Sequence, residues 1–304
     1  MRCFKWTSAA LVGSLTSAAL AGVFTVDGTI AGDGYSGARS VQAVETQFGD
    51  NFSELDAGYG EIAGGQLYLA LTGNLEGNFN KLEVFIDAKA GGEAVFSGLP
   101  GNDGAGVMTG LTFDTGFQPD YHVIARRGND GTDKFDLDFA ELGTGNFSSY
   151  INVFGGSQEG AATTGAPTST GVGPGNDQPI GVAYDNSNVA GVAGGDGAAN
   201  MADALAVQTG LEFSFDLTDL DYAGGAIRVM AFVNGSNHNF ASNQFLGPLT
   251  PPQGNLGGDG AGGFTGFLNF DLRQFPGDQF FVIPEPASLG LFGVGALALL
   301  RRKS

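Results

Sequence analysis

The chain has 304 residues, 53 of them glycine and 25 phenylalanine, with a formal net charge of −19 at pH 7. So acidic a chain repels nucleic-acid phosphates and anionic lipid headgroups, which excludes a nucleic-acid-binding role. The only cysteine is Cys3, so any form that loses its first residues has no disulfide, no thiol nucleophile and no cysteine metal site.

In chain order, the first segment reads as an export signal. Arg2 and Lys5 precede an uncharged, mostly small and apolar stretch, and Ala19-Leu20-Ala21 fits a small-x-small cleavage pattern. Residues 1–21 are expected to form a signal helix that is handled by the secretion translocon. Signal peptidase then cuts after Ala21 and leaves Gly22 as the first mature residue. Between residues 22 and 283, eight Lys and Arg face 31 Asp and Glu, a net charge of −23.

That middle section is expected to be all-β, an antiparallel β-sandwich or jelly-roll with long glycine-rich loops. Leu67, Leu69 and Leu71 alternate in residues 66–72, and Leu82, Val84 and Ile86 alternate in residues 81–87. Phe135, Leu137 and Phe139 oppose Asp136 and Asp138 in residues 134–140; Leu211, Phe213, Phe215 and Leu217 share one face of residues 211–217. This period of two signals half-buried strands. Residues 22–30, 40–48, 121–126, 147–154, 226–234 and 279–283 complete the strand set. The phenylalanines are expected to fill the space between two sheets. One short helix is expected over residues 198–207. Residues 155–200 read as a surface insertion in a single domain spanning 22–283, with only residues 179–184 hinting at a strand. Residues 247–263 read as a second long loop.

The middle section resembles the DOMON-like and family 9 carbohydrate-binding sandwiches. The residues that carry the likeness are Val26-Asp27-Gly28, Leu67-Tyr68-Leu69-Ala70-Leu71, Gly73-Asn74-Leu75-Glu76, Leu82-Glu83-Val84-Phe85-Ile86-Asp87, Gly91-Gly92, Phe113-Asp114 and Asp120-Tyr121. The resemblance implies a sandwich, and in the sugar-binding members a site that stacks ligand between tryptophans. Here the only tryptophan is Trp6, inside the signal segment. A sugar site would therefore need tyrosines such as Tyr35, Tyr59 and Tyr68, which in a sheet more often belong to the core.

Catalytic signatures are scarce. His122 and His238 are the only histidines, and no Gly-x-Ser-x-Gly elbow, His-Glu-x-x-His pair or Gly-Lys-Ser/Thr phosphate loop occurs. We therefore expect no enzyme. Two facing carboxylates would suffice for a glycan-processing enzyme, which keeps that alternative in view. No cofactor is expected except calcium: Asn129-Asp130-Gly131-Thr132-Asp133 is dense in hard oxygen ligands, and Asp136 follows. The competing reading of Asp130, Asp133 and Asp136 is a plain turn, because Asn-Asp-Gly is ordinary turn chemistry.

The tail is the most specific feature. Pro284-Glu285-Pro286 is followed by an apolar run, residues 287–300, in which Ser288 is the only polar residue, and then by Arg301, Arg302 and Lys303. A 14-residue helix reaches about 21 Å, short of the roughly 30 Å hydrocarbon core. The basic cluster holds the end on the cytoplasmic side. The three parts in order resemble the PEP-CTERM sorting signal of Gram-negative bacteria; a plain C-terminal anchor is the alternative. The resemblance implies a short membrane helix, recognition by an exosortase that cuts near the tripeptide, and delivery to the cell surface or medium after transient anchoring in the inner membrane. It also implies a structural or binding role in exopolysaccharide and biofilm matrix. The alternative within that setting is a carbohydrate-binding module for matrix polysaccharide.

Overall fold

The computed structural model describes residues 22–258 and 270–286. The expected signal helix over 1–21 and the expected membrane helix over 287–300 lie outside the described residues. Among those described, no helix is long and apolar enough to cross a membrane.

Among the described residues, fourteen strands form two antiparallel sheets, as the alternation predicted. The first holds β1 (Ser40–Val41), β2 (Glu54–Ala63), β3 (Gln66–Asn74), β8 (Gly160–Thr163), β10 (Gly181–Tyr184) and β11 (Gly210–Asp216), in the order β1-β2-β3-β11-β10-β8. The second holds β4 (Lys81–Asp87), β5 (Tyr121–Asn129), β6 (Asp133–Glu141), β7 (Phe147–Tyr150), β9 (Ser169–Thr170), β12 (Ile227–Asn234) and β13 (Ala241–Leu246), in the order β13-β12-β4-β5-β6-β7-β9. The last strand, β14 (Phe281–Ile283), also pairs with β12. A short helix, α1 (Met201–Ala206), starts at Asn200, whose side chain accepts from the Ala202 amide.

Between the sheets lies the expected core. Leu67, Leu69, Leu71, Phe213 and Phe215 meet Leu82, Val84, Ile86, Phe135, Leu137 and Phe139 there. Burying each such side chain contributes about 1.5–3 kcal/mol. The phenylalanines are not confined to this space. Phe85, Phe96, Phe113, Phe117, Phe232 and Phe245 form a second core on the outer face of the eight-stranded sheet, with Ile124, Met230, Met108, Leu111 and Leu272. Phe85 meets Phe113 edge-on at 4.9 Å, and Phe232 stacks on Phe245 at 4.8 Å. The cover is the chain between β4 and β5, pinned by bridges Val95↔Thr112 and Thr112↔Asp271. The central strands of this sheet are therefore buried on both faces, not on one.

Several boundaries differ from expectation for identifiable reasons. Strand β4 matches residues 81–87 end to end. Residues 22–30 make only the bridge Thr29↔Thr209, and residues 40–48 leave the ladder after Val41, keeping bridges at Val44 and Thr46. Residues 155–200 are more than surface: β10 lies between β8 and β11, and β9 joins the other sheet beside β7. The ten-residue β2 escaped the pattern because Gly58 and Gly60 interrupt its alternation. They are glycine because Phe281 and Ile283 of β14 press on them: a Cβ at Gly58 would stand 3.0 Å from the Phe281 ring, and one at Gly60 would collide with Ile283. Strand β13 escaped because Ser242, Asn243 and Gln244 look solvent-facing, yet all three are fully buried. Asn243 donates to the Glu45 and Gln253 carbonyls at 2.8 Å each, and Gln244 Oε1 accepts from the Leu55 amide at 3.3 Å.

Candidate functional site

The three acids of the candidate calcium turn do not converge. Asn129 and Asp133 close the β5–β6 hairpin as its last pair. Asp130 binds Lys134 Nζ at 2.7 Å. Asp133 Oδ1 accepts from Asn129 at 2.6 Å and from Gln158 at 2.8 Å. Asp136 lies an odd number of residues along the same strand, so it projects from the opposite face. It is buried, accepts from the Asn152 amide at 2.8 Å and faces Arg126 Nε at 3.7 Å. Among the described residues, no group of three His, Cys, Asp or Glu side chains is placed to hold a metal ion.

The candidate tyrosines do converge, on the outer face of the six-stranded sheet, but their rings are spent on protein. Tyr68 stacks on Phe24 at 4.4 Å and 14°, and Phe24 meets Tyr35 edge-on at 5.1 Å. Tyr35 tilts against Tyr59 at 5.8 Å. The segment starting at Gly22 thus covers this face. It is fixed there by Glu212, which accepts from the Asp27 and Gly28 amides at 3.0 and 2.9 Å and from the Tyr35 hydroxyl at 3.3 Å.

The tail emerges directly from the sandwich. In β14, Ile283, Val282 and Phe281 pair with Ile227, Arg228 and Val229. Phe281 and Ile283 are buried, and Val282 faces outward with 45% of its surface exposed. Proline has no N–H to donate, so the ladder stops at Pro284. Pro284 and Glu285 are exposed and Pro286 partly so. Residues 282–304 match the PEP-CTERM protein-sorting motif. A PEP-CTERM chain is an exported protein that exosortase recognises and directs to the surface or medium. The motif covers the tail only. No curated protein and no solved structure matches the chain, so the DOMON-like resemblance of the middle rests on its short motifs alone. Of the residues expected to act in sorting, Gly22, Pro284, Glu285 and Pro286 are described; Ala19, Ala21, Arg301, Arg302 and Lys303 lie outside the described residues. Gly22 packs against Gly34 at the edge of the tyrosine cover.

The folded domain also holds an ionic cluster that its sequence did not announce. Glu83 of β4 is completely buried under the second core. Its carboxylate takes His238 Nδ1 at 2.6 Å, His122 Nε2 at 2.8 Å and Asn234 Nδ2 at 3.0 Å. His238 Nε2 faces the Asp103 carbonyl at 3.1 Å and carboxylate at 3.2 Å. With an acceptor at each ring nitrogen, His238 is fully satisfied only as the imidazolium. Burial opposes that charge, but Glu83 and Asp103 outweigh it and hold His238 up at about 9. Burial likewise opposes the Glu83 charge, and the two histidines overcome it, so its carboxyl lies well below the usual range. Lys81 binds Asp103 at 2.7 Å, and Arg126 joins Asp103 at 3.2 Å to Asp138 at 2.5 Å. The cluster therefore ties four strands, β4, β5, β6 and the end of β12, and the loop at His238 to the covering segment at Asp103. The legible signal was charge at alternate positions of β4, β5 and β6; the apolar residues of the cover, Phe96 to Phe117, were the clue that this face is not solvated.

Proposed function

We propose that this protein is a non-catalytic surface or matrix component, carried by exosortase sorting and held for a time in the inner membrane by its C-terminal segment. The observation that carries the reading is the junction at Ile283, where the sandwich ends and Pro284-Glu285-Pro286, its first two residues exposed, begins with no intervening linker. A non-catalytic role is supported by the state of the polar groups. Both histidines are buried and bound to Glu83. A polar cavity of about 180 Å³ is lined by Tyr121, Glu141, Asp177, Asp219 and Asp221. Three of its four carboxylates are already engaged: Asp219 by the Asp177 amide at 2.8 Å, and Glu141 and Asp221 by Lys89 at 3.2 and 2.8 Å. A role among exopolysaccharide in a biofilm matrix suits a mature chain of net charge −23, which stays soluble and mutually repelling. The stacking of Tyr68 on Phe24 counts against a carbohydrate module built on the three tyrosines.

Deletion of residues 301–304 tests the sorting reading. The deleted chain is expected to lose most of its processed product, read as intact mass from the culture medium and cell surface. Release at the wild-type level would overturn it.

A further inference from the structure

Four oxygens converge on a single nitrogen beside the start of β2. Asn188, on the crossover between β10 and α1, has its Nδ2 3.0 Å from Asn74 Oδ1, 3.4 Å from Glu54 Oε1 and 3.5 Å from Asp56 Oδ2, and in contact with the Ala190 carbonyl. The sheet puts the three side-chain oxygens there. Glu54 pairs with Asn74 across β2 and β3, and Asp56 is the extra residue of a bulge, between the pairs Leu55↔Gly73 and Ala57↔Thr72. Asn74 keeps its oxygen inward because its Nδ2 donates to Asn186 Oδ1 at 3.1 Å and to the Asn188 carbonyl at 3.2 Å. Gly191 closes over the Asp56 carboxylate, which any Cβ at that position would strike. An amide nitrogen carries two hydrogens and cannot serve four acceptors. Glu54 Oε1 and Asp56 Oδ2 are the two left out: both lie beyond the roughly 2.7–3.2 Å of an N–H···O bond, and among the described residues neither has another partner. Both side chains are fully buried. Two buried carboxylate oxygens thus face one point with no donor for either, an arrangement that is costly unless a positive charge fills it.

We propose that this point is a calcium site, with Glu54, Asp56, Asn74 and the Ala190 carbonyl as its protein ligands and the Asn188 amide turned to offer its oxygen. Calcium takes about six to eight hard oxygens and mixes carboxylate, amide and main-chain carbonyl. Water completes the shell from the side where Ala190 is exposed. Only two acids contribute, which places the affinity in the range of about 10⁻⁴–10⁻³ M that serves extracellular modules. The ion supplies the positive partner that Glu54 and Asp56 lack, and it staples the crossover at 185–199 to β2 and β3. Both acids hold protons up to about 7 and 8, because burial raises them. Calcium must displace those protons, so it binds more tightly as pH rises.

The test is calcium titration of the chelator-stripped protein recovered from the culture medium, read by calorimetry and by melting temperature, for wild type, Asp56→Asn and Asn188→Asp. Wild type is expected to bind one calcium per chain with a Kd at or below about 1 mM, and about 5 mM calcium should raise its melting temperature by about 2 °C or more. Lowering the pH from about 8.5 to about 5.5 should weaken that binding at least tenfold. Asp56→Asn keeps an acceptor for the Val192 amide, so the fold stands while calcium affinity falls at least tenfold. Asn188→Asp lies outside the strands, brings a third carboxylate to the same point and should tighten binding at least threefold. A wild type that binds no calcium at about 5 mM overturns the inference, and so does an affinity that neither substitution changes. Neither result touches the sorting reading.

Discussion

Glu83 in one sheet and Asp56 in the other are both fully buried, and the fold treats them in opposite ways. Glu83 sits between two histidines, with Lys81 within electrostatic reach, and is held ionised. Asp56 has only amides: Val192 N at 2.9 Å and Asn188 Nδ2 at 3.5 Å, with buried Glu54 beside it. Burial first, and then the neighbouring Glu54 charge, push Asp56 up to about 8; burial pushes Glu54 to about 7. Burial alone raises a carboxyl, and a cation within contact decides whether it stays charged. Residues 22–283 hold only eight Lys and Arg. The cluster over the eight-stranded sheet takes two of them and both histidines, and among the described residues neither Glu54 nor Asp56 has a cationic partner.

The largest expected effect tests the ionic side of this comparison. Glu83→Gln leaves the His238 imidazolium buried without its counter-charge. It should cost about 3–5 kcal/mol, read as a lowered midpoint in thermal or denaturant unfolding at pH 7. A loss below about 1 kcal/mol would show that the cluster does not clamp the covering segment.

The second effect is the sign of the pH dependence. Asp56, Glu54 and Glu212, the last raised to about 7 mainly by burial, bind protons more tightly folded than unfolded. Their contribution is full below their ordinary values of 3.8 and 4.5 and is lost as pH rises through about 7 to 8. His238 acts in the same direction: its contribution is full below 6.5 and lost as pH rises through about 9. Glu83 and Asp103 are lowered, so their contribution is lost only as pH falls below the carboxylate range. Melting temperature should therefore peak on the mildly acidic side and decline from about pH 5 to 9. Asp56→Asn keeps an acceptor for Val192 N and removes the titration. It should flatten that decline and raise stability at pH 9 by about 1–3 kcal/mol. A wild-type curve that rises toward pH 9 would reverse the assignment.

The smallest effect concerns the hairpin tip. Asp130→Asn removes an exposed pair with Lys134 and should change stability by no more than about 0.5 kcal/mol. In Glu54→Gln protein, chelator treatment should leave the melting temperature unchanged, since Asp133 and Asp136 project from opposite faces. A drop of several degrees that millimolar calcium restores would show that these acids rearrange around an ion.

Much of the fold was legible because alternation is a local signal: β4 and the central parts of β3, β6 and β11 could be drawn from Leu, Val, Ile and Phe spacing. Strand β2 was not, because its Gly58 and Gly60 answer to β14, more than 200 residues away in the chain. Strand β13 was not, because Asn243 and Gln244 are buried by bonds to Glu45, Gln253 and Leu55 that no local pattern records. The sorting tripeptide was fully legible, since its chemistry is read by another protein as linear sequence.

By itself the sequence determined the period of the strands, the acidity of residues 22–283 and the address at Pro284, because each follows from residue order alone. Only the tertiary structure decided that the eight-stranded sheet is covered on both faces, that His122 and His238 share Glu83, and that Ile283 belongs to the core. Those facts depend on which distant segment fills a given face, and burial is a property of that neighbour as much as of the residue buried.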